Sequence, residues 1–274
     1  MQVRKHVVGI CSWSLHPQDS ADLLTKVKDL GLQHMQLGLT PLLEKEDAAA
    51  DIATIRNSGL TLTATALWFA DEDYSTIPMS RNTGGFGPQQ QWPQREKLAL
   101  RAGKMTAELG AKMMSCHVGV VLASSDPAYA LLVERVRAVA DSLAEFNLDL
   151  LIETGPEPAS ALLQFLNDLN CRNVGVNYDP ANMILYGSGD PIASISILGR
   201  HIKHVHVKDA LASSHPRMEW GKEVAFGSGE IEPLIFLDEL EEIGYAGPLC
   251  IEREAGEHPL IDIRAAIRAF KEIE

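Results

Sequence analysis

No two cysteines stand at metal-ligand spacing in this sequence. Its four, Cys11, Cys116, Cys171 and Cys250, are scattered, and three fall inside apolar runs of strand character. They read as small buried hydrophobes in a reducing compartment rather than as a zinc ribbon or a disulfide framework. No G-x-G-x-x-G follows the first strand candidate, so the dinucleotide-fold signal is missing, and there is no Walker-type phosphate loop. No apolar run approaches the roughly 20 residues of a membrane span, and Met1–Ile10 is too short and too polar for a signal peptide. The expectation is a cytoplasmic protein with no membrane partner. Positive charge is scarce as well: 24 Lys and Arg stand against 37 Asp and Glu, a net charge of −13. That argues against nucleic acid as a partner, because phosphate backbones are held mainly by Lys and Arg.

What is present is regular alternation. The 274 residues, 46% hydrophobic and 22% charged, suit one ordinary α/β barrel. Strand candidates are His6–Ser12, His34–Leu39, Leu60–Leu67, Lys112–Val118, Leu148–Glu153, Val174–Asn177, His201–Lys208 and Leu249–Glu252. They are short and apolar, as strands covered on both faces should be. Helical periodicity occupies Asp19–Leu30, Gln94–Leu109, Ala128–Phe146, Ile231–Ile243 and Leu260–Ile273. Gly31, Gly59, Gly110 and Gly244 sit where helices should end. With no linker and no composition break, residues 1–274 are expected to form a single (β/α)₈ TIM barrel domain rather than an open doubly wound sheet. Trp68 to Trp92, rich in Gly and Pro, is expected to be an irregular functional loop that covers the strand ends and orders on ligand binding.

Barrel chemistry sits at the C-terminal ends of the strands, and there the sequence places polar groups. Leu150-Leu151-Ile152 leads to Glu153, and Val174 to Tyr178 leads to Asp179. The run Ile202 to Val207 carries His204 and His206, and Leu249-Cys250-Ile251 leads to Glu252. Neighbouring parallel strands lie about 4.8 Å apart, so Glu153, Asp179, His206 and Glu252 can converge. Three clustered carboxylates call for a neutralising charge, and a divalent cation is the simplest one. Three oxygen ligands and one imidazole favour Mn²⁺, Mg²⁺ or Co²⁺ and leave Zn²⁺ open. His204 alone reads as a hydrogen-bonded core histidine. Trp13, Trp68, Phe69, Phe86 and Trp92 are candidate apolar walls for a sugar. Gly227-Ser228-Gly229 reads as a plain turn in preference to a phosphate site.

The chain resembles the xylose-isomerase-like barrel superfamily over nearly its whole length. The resemblance is carried by Leu151-Ile152-Glu153-Thr154-Gly155, Asn177-Tyr178-Asp179-Pro180-Ala181-Asn182, His204-Val205-His206-Val207-Lys208-Asp209, Phe226-Gly227-Ser228-Gly229-Glu230 and Gly247-Pro248-Leu249-Cys250-Ile251-Glu252-Arg253-Glu254. It implies Glu153, Asp179, His206 and Glu252 as metal ligands, with Glu153 and Glu252 also exchanging protons with substrate. It implies substrate contacts for His117, and Lys208 points the same way along its strand as His206. Two positions depart from the pattern. Asn182 stands where ketose 3-epimerases commonly carry a histidine, and can still hydrogen-bond a hydroxyl. Gln36 ends the second strand where many relatives carry a glutamate.

The resemblance implies a metal-dependent sugar isomerase or epimerase, acting on a ketose or related polyol through an enediolate with the two glutamates as acid and base. Trp13 and Trp68 join His117, Asn182 and Lys208 as candidate substrate contacts. An inosose-type dehydratase on the same site is the alternative. An apurinic-site endonuclease is disfavoured by Asn182, by Trp68 near where another histidine should stand, and by the acidic charge. A non-catalytic sugar-binding barrel fits poorly with an intact ligand set. A homo-oligomer is left open.

Overall fold

The computed structural model describes residues 1–273. Eight parallel strands run in order around a ring: β1 (His6–Cys11), β2 (His34–Gly38), β3 (Thr61–Leu67), β4 (Met113–Cys116), β5 (Asp149–Glu153), β6 (Val174–Tyr178), β7 (Ile202–Val207) and β8 (Leu249–Ile251). Each pairs with its sequence neighbours, and β8 pairs with β1 to close the barrel. The eight expected strands are all present, with ends shifted by one or two residues. The dipeptide Gln2–Val3 adds a short antiparallel partner to β1.

One main helix follows each strand: α1 (Ser20–Asp29), α2 (Ala49–Arg56), α3 (Trp92–Glu108), α4 (Pro127–Ala144), α5 (Ala159–Leu169), α6 (Pro191–Leu198), α7 (Pro233–Glu242) and α8 (Pro259–Glu272). Helical periodicity in the sequence marks α1, α3, α4, α7 and α8, and does not mark α2, α5 or α6. Side-chain caps are explicit: Asp19, Asp126, Asp190 and Glu232 accept from first-turn amides of α1, α4, α6 and α7. Proline opens α4, α6, α7 and α8, where its missing N–H costs nothing. The four expected glycines all adopt positive φ, between 72° and 81°.

The connection after β3 is less irregular than the sequence suggested. Thr76 caps a short helix at Ile77–Thr83 inside it. Beyond that helix two buried arginines clamp the backbone. Arg95 Nη1 donates to the Thr83 and Gly85 carbonyls, and Arg135 donates to those of Phe86 and Gly87. Gly85, at φ 59°, is pressed against Gly119, where a Cβ would lie 1.9 Å from the Gly119 nitrogen. Only a glycine fits there. Phe86 and Trp92 pack into this clamp, with ring centroids 5.5 Å apart, and do not line the cavity described below. Their expected role as substrate walls is therefore corrected.

A second excursion leaves the barrel after β7. Asp209–Leu211 and Lys222–Val224 pair as an antiparallel ribbon. Its tip is tied to the β3 connection by Trp220 Nε1 donating to the Tyr74 carbonyl at 3.1 Å. No helix among the described residues is long and apolar enough to cross a membrane.

Candidate active site

Glu153 is the last residue of β5, Asp179 follows β6, His206 lies inside β7 and Glu252 follows β8. Each offers one ligating atom, and these four atoms lie within 4.8 Å of one another. His206 Nδ1 is the centre. Glu252 Oε2 stands 3.1 Å from it, Glu153 Oε1 3.5 Å and Asp179 Oδ2 3.7 Å. Oxygen and nitrogen ligands about 2.1–2.6 Å from one cation have that spacing when adjacent. Asp179 is also a helix cap: its Oδ1 accepts from Asn182 N, which leaves Oδ2 facing the cluster. Asp179 Oδ2, His206 Nδ1 and Glu252 Oε2 are buried without a well-formed hydrogen bond. Lys208 Nζ does lie 2.9 Å from Glu252 Oε2, as an ion pair. Buried polar atoms left in this state, aimed at one point, fit a cation.

Electrostatics agree. Burial pushes the carboxyls of Glu153, Asp179 and Glu252 up. Against it, His117 and His206 act on Glu153, Lys208 and His206 on Asp179, and His206 and Lys208 on Glu252; all three end below their ordinary values. Burial disfavours charge on His206, yet Glu252 and its other anionic neighbours hold its pKa well above normal. The cluster draws positive charge to its centre.

Beneath it the barrel lumen is polar. His206 Nε2 donates to Gln36 Oε1 at 2.6 Å, and Gln36 Nε2 donates to Ser115 Oγ at 2.9 Å. This bond holds the ring with Nδ1 facing the three carboxylate oxygens, where it carries a proton or, once that proton is lost, offers its lone pair to a cation. His204, on β7 and across the lumen from β3, bonds Thr63 Oγ1 at 3.0 Å and Asn177 Oδ1 at 2.7 Å. Asn177 Nδ2 then donates to Glu153 Oε2 at 3.3 Å. Burial drives the His204 pKa down to about 3, so it is neutral. It is the core histidine the sequence suggested. Cys11 Sγ also groups with His206 and Glu252. Burial raises its pKa far above normal and it bonds Gln36 Oε1 at 3.5 Å, so it is a neutral thiol.

Above the cluster opens a cavity of about 720 Å³. Trp13, Trp68, Phe69, His117, Asn182, Glu153 and Glu252 all line it. Trp13 Nε1 donates to Glu252 Oε1 at 2.7 Å, and its ring meets Trp68 edge-on at 5.9 Å. Trp68 in turn needs Gly38, where a Cβ would lie 2.6 Å from the indole. His117 Nε2 stands 3.6 Å from Glu153 Oε1. Burial opposes its protonation, but Glu153 and Glu72 outweigh that and raise its pKa. Asn182 Nδ2 donates to Glu153 Oε1 and to the Thr154 carbonyl, both at 3.2 Å. Lys208 is buried at 2% exposure and is outside the cavity lining. Its ammonium lies 2.5 Å from Glu254, 2.9 Å from Glu252 and 3.6 Å from Asp179.

The sequence reading missed the supporting layer of Cys11, Thr63, Ser115 and Asn177, and the role of Gln36. It also missed the outer wall of Tyr74, Tyr186 and Trp220. The signal for the first group was present: polar residues inside apolar strands. The turn at Gly227–Gly229 is settled by Asp209, whose carboxylate accepts from Gly227, Gly229 and Ile231 amides. Those amides are not free for a phosphate.

The chain belongs to the Xylose isomerase-like TIM barrel family, whose model matches residues 24–273. None of the curated proteins matches it. Among solved structures it is similar to a xylose isomerase domain protein from Planctomyces limnophilus, at 33% identity, 91% coverage of both chains and a TM-score of 0.86. A xylose isomerase-like barrel protein from Mycobacterium smegmatis, in complex with magnesium, shares the fold at 14% identity, 100% and 98% coverage and a TM-score of 0.75. So does 3-keto-D-glucoside 4-epimerase from E. coli, at 14% identity, 97% and 99% coverage and a TM-score of 0.73.

Proposed function

We propose that the protein is a divalent-metal-dependent sugar isomerase or epimerase, with Glu153, Asp179, His206 and Glu252 as the metal ligands and Glu153 and Glu252 as acid and base. The observation that carries this reading is the convergence of three carboxylate oxygens on His206 Nδ1, buried, poorly satisfied and open to an aromatic-walled cavity. The ligand chemistry favours Mn²⁺, Mg²⁺ or Co²⁺, in keeping with the magnesium complex of the Mycobacterium smegmatis relative. A bound cation supplies polarisation of the substrate carbonyl and stabilises negative charge on its oxygens.

The residues supply the proton chemistry. Glu153 and Glu252 reach the cavity from strands three places apart around the ring. One takes the proton from the carbon beside the carbonyl, giving an enediolate. The other returns a proton from the other side, which inverts that carbon, or to the neighbouring carbon, which isomerises the sugar. Asn177 and Asn182 orient the Glu153 carboxylate, and Trp13 and Lys208 orient that of Glu252. His117, beside Glu153, is placed to bond a substrate oxygen. Trp13 and Trp68 cover the apolar faces of the sugar and keep water from the reacting carbon.

The test is isotope exchange. The Mn²⁺-loaded protein is incubated with keto sugars in deuterated water, and deuterium is sought by NMR at the carbon next to the carbonyl. Enrichment there is expected, with the epimer or isomer appearing alongside. Metal-loaded protein that exchanges no such proton in any keto sugar tested would exclude the reading.

A further inference from the structure

Given that reading of the site as one for keto sugars, the size, walls and charge of the cavity narrow the substrate. We propose that it takes an uncharged keto sugar bearing a second sugar ring. The keto unit would sit at the four-residue cluster, and the second ring against Trp220 and Tyr186.

Two aromatic pairs line the one cavity. Trp13 and Trp68 form the inner pair: Trp13 is hydrogen-bonded to Glu252, and its ring centroid lies 6.0 Å from that of His206. Tyr186 and Trp220 form the outer pair, with centroids 4.6 Å apart. Trp220 is brought there by the excursion after β7, and its indole N–H is tied to the β3 connection at Tyr74. Among the described residues, no hydrogen bond joins Tyr186 or Trp220 to the four cluster residues. The outer pair therefore does nothing to orient the ligands, yet it presents aromatic surface to the same space. A volume of about 720 Å³ lies in the upper part of the roughly 300–1,000 Å³ range of small-molecule pockets. One sugar ring seated against the Trp13–Trp68 pair leaves the outer part of it empty. Aromatic faces suit the apolar faces of sugar rings, while the polar edges of the ring stay free for hydrogen bonds.

Charge sets the second restriction. No lysine or arginine lines the cavity, whereas Glu72, Glu223 and Glu254 do. The nearest ammonium, Lys208, is already held by Glu252, Glu254 and Asp179. The nearest arginine at this end of β8, Arg253, is paired with Glu223 and Asp262. A phosphate or carboxylate on the sugar would be desolvated against an acidic outer wall with no lysine or arginine to receive it, and His117, at the inner end, is already held beside Glu153.

The test is calorimetric binding to the Mn²⁺-loaded protein of four probes: D-fructose, lactulose, isomaltulose and D-fructose 6-phosphate. At least one two-ring probe is expected to bind about tenfold tighter than fructose, the worth of one good aromatic contact, and the phosphate ester about tenfold weaker. Trp220→Ala should shrink the two-ring advantage to within about threefold, and Trp220→Phe should restore most of it. The proposal is overturned if fructose binds as tightly as both two-ring probes, if the phosphate ester binds best, if Trp220→Ala leaves the advantage intact, or if no probe binds. Affinity is read separately from turnover. A tightly bound two-ring sugar that never exchanges its proton would refute the enediolate reading alone, and proton exchange on fructose with no gain from a second ring would refute this one alone.

Discussion

Strands β5 to β8 bring Glu153, Asp179, His206 and Glu252 to the mouth of the barrel, while β1 to β4 and their ends bring Trp13, Gln36, Trp68, Ser115 and His117. One half carries the four clustered ligand candidates. The other carries the inner aromatic pair and the cross-lumen hydrogen bonds that help to aim them. The division has a physical reason. Carboxylates gathered on one side of a ring can share a single cation, which leaves the opposite side free to be dry and shaped for a substrate. Carboxylates spread around the whole ring would each need a separate partner. The two halves meet across the lumen at a few contacts, chiefly Gln36 to His206 and Thr63 to His204.

The sharpest way to break this comparison is in the charged half. Glu153→Gln and Glu252→Gln each keep an oxygen near the centre but remove the group that moves a proton. With Mn²⁺ occupancy confirmed for each variant, turnover of an identified substrate should fall by about 10² or more. Deuterium exchange at the substrate carbon should fall with it. A metal-loaded variant of either kind with near-normal turnover would mean that the charged half binds and does not catalyse.

A smaller effect is expected from the supporting half. Gln36 is outside the cavity lining, and its one direct link to the four-residue cluster is the bond to His206 Nε2. Gln36→Leu should leave the fold intact and weaken Mn²⁺ binding by about 10–100-fold, the usual cost of losing the partner of a ligating imidazole. Titration of metal into wild type and variant reads this directly. Equal affinities would show that the supporting half has no hold on the cluster.

Much of the charged half was legible because its logic is local. An apolar strand that ends on an acid or an imidazole is visible in five consecutive letters, and four such strands in succession announce a shared site. The supporting half is legible only in pairs. Gln36 reads as an oddity in its own strand and acquires meaning from His206, 170 positions away. Thr63 and His204 are 141 apart. Nothing in a strand's own period says which polar residue meets which across a lumen. Helices α2, α5 and α6 were not singled out, and α6 carries isoleucine on its outer as well as its inner side: Ile197 is 43% exposed while Ile195 is buried. Trp220 sits in an excursion with no strand or helix period around it, so its arrival at the cavity depends wholly on the ribbon that carries it.

The third effect concerns a buried carboxyl in the charged half that lies outside the cluster, and it tests whether that half carries charge that a bound cation would not relieve. Glu157, in the turn between β5 and α5, is 5% exposed, and its Oε2 has no hydrogen-bond partner. Burial raises its pKa from 4.5 to about 7, against the pull of backbone amides and of His117. Below pH 4.5 the group is protonated in folded and unfolded chains alike and has no effect on stability. Between 4.5 and about 7 the unfolded chain gives up the proton while the folded chain keeps it, so unfolding is favoured progressively as pH rises. Above about 7 the folded state carries the full cost of a buried charge. Glu157→Gln cannot ionise and is free of that cost. Denaturant midpoints should therefore coincide for wild type and variant near pH 4. At pH 8 the variant should be more stable by roughly 1–3 kcal/mol. Identical midpoints at pH 8 would show that Glu157 ionises without penalty in the folded chain, and that the anionic load of the charged half ends at the cluster.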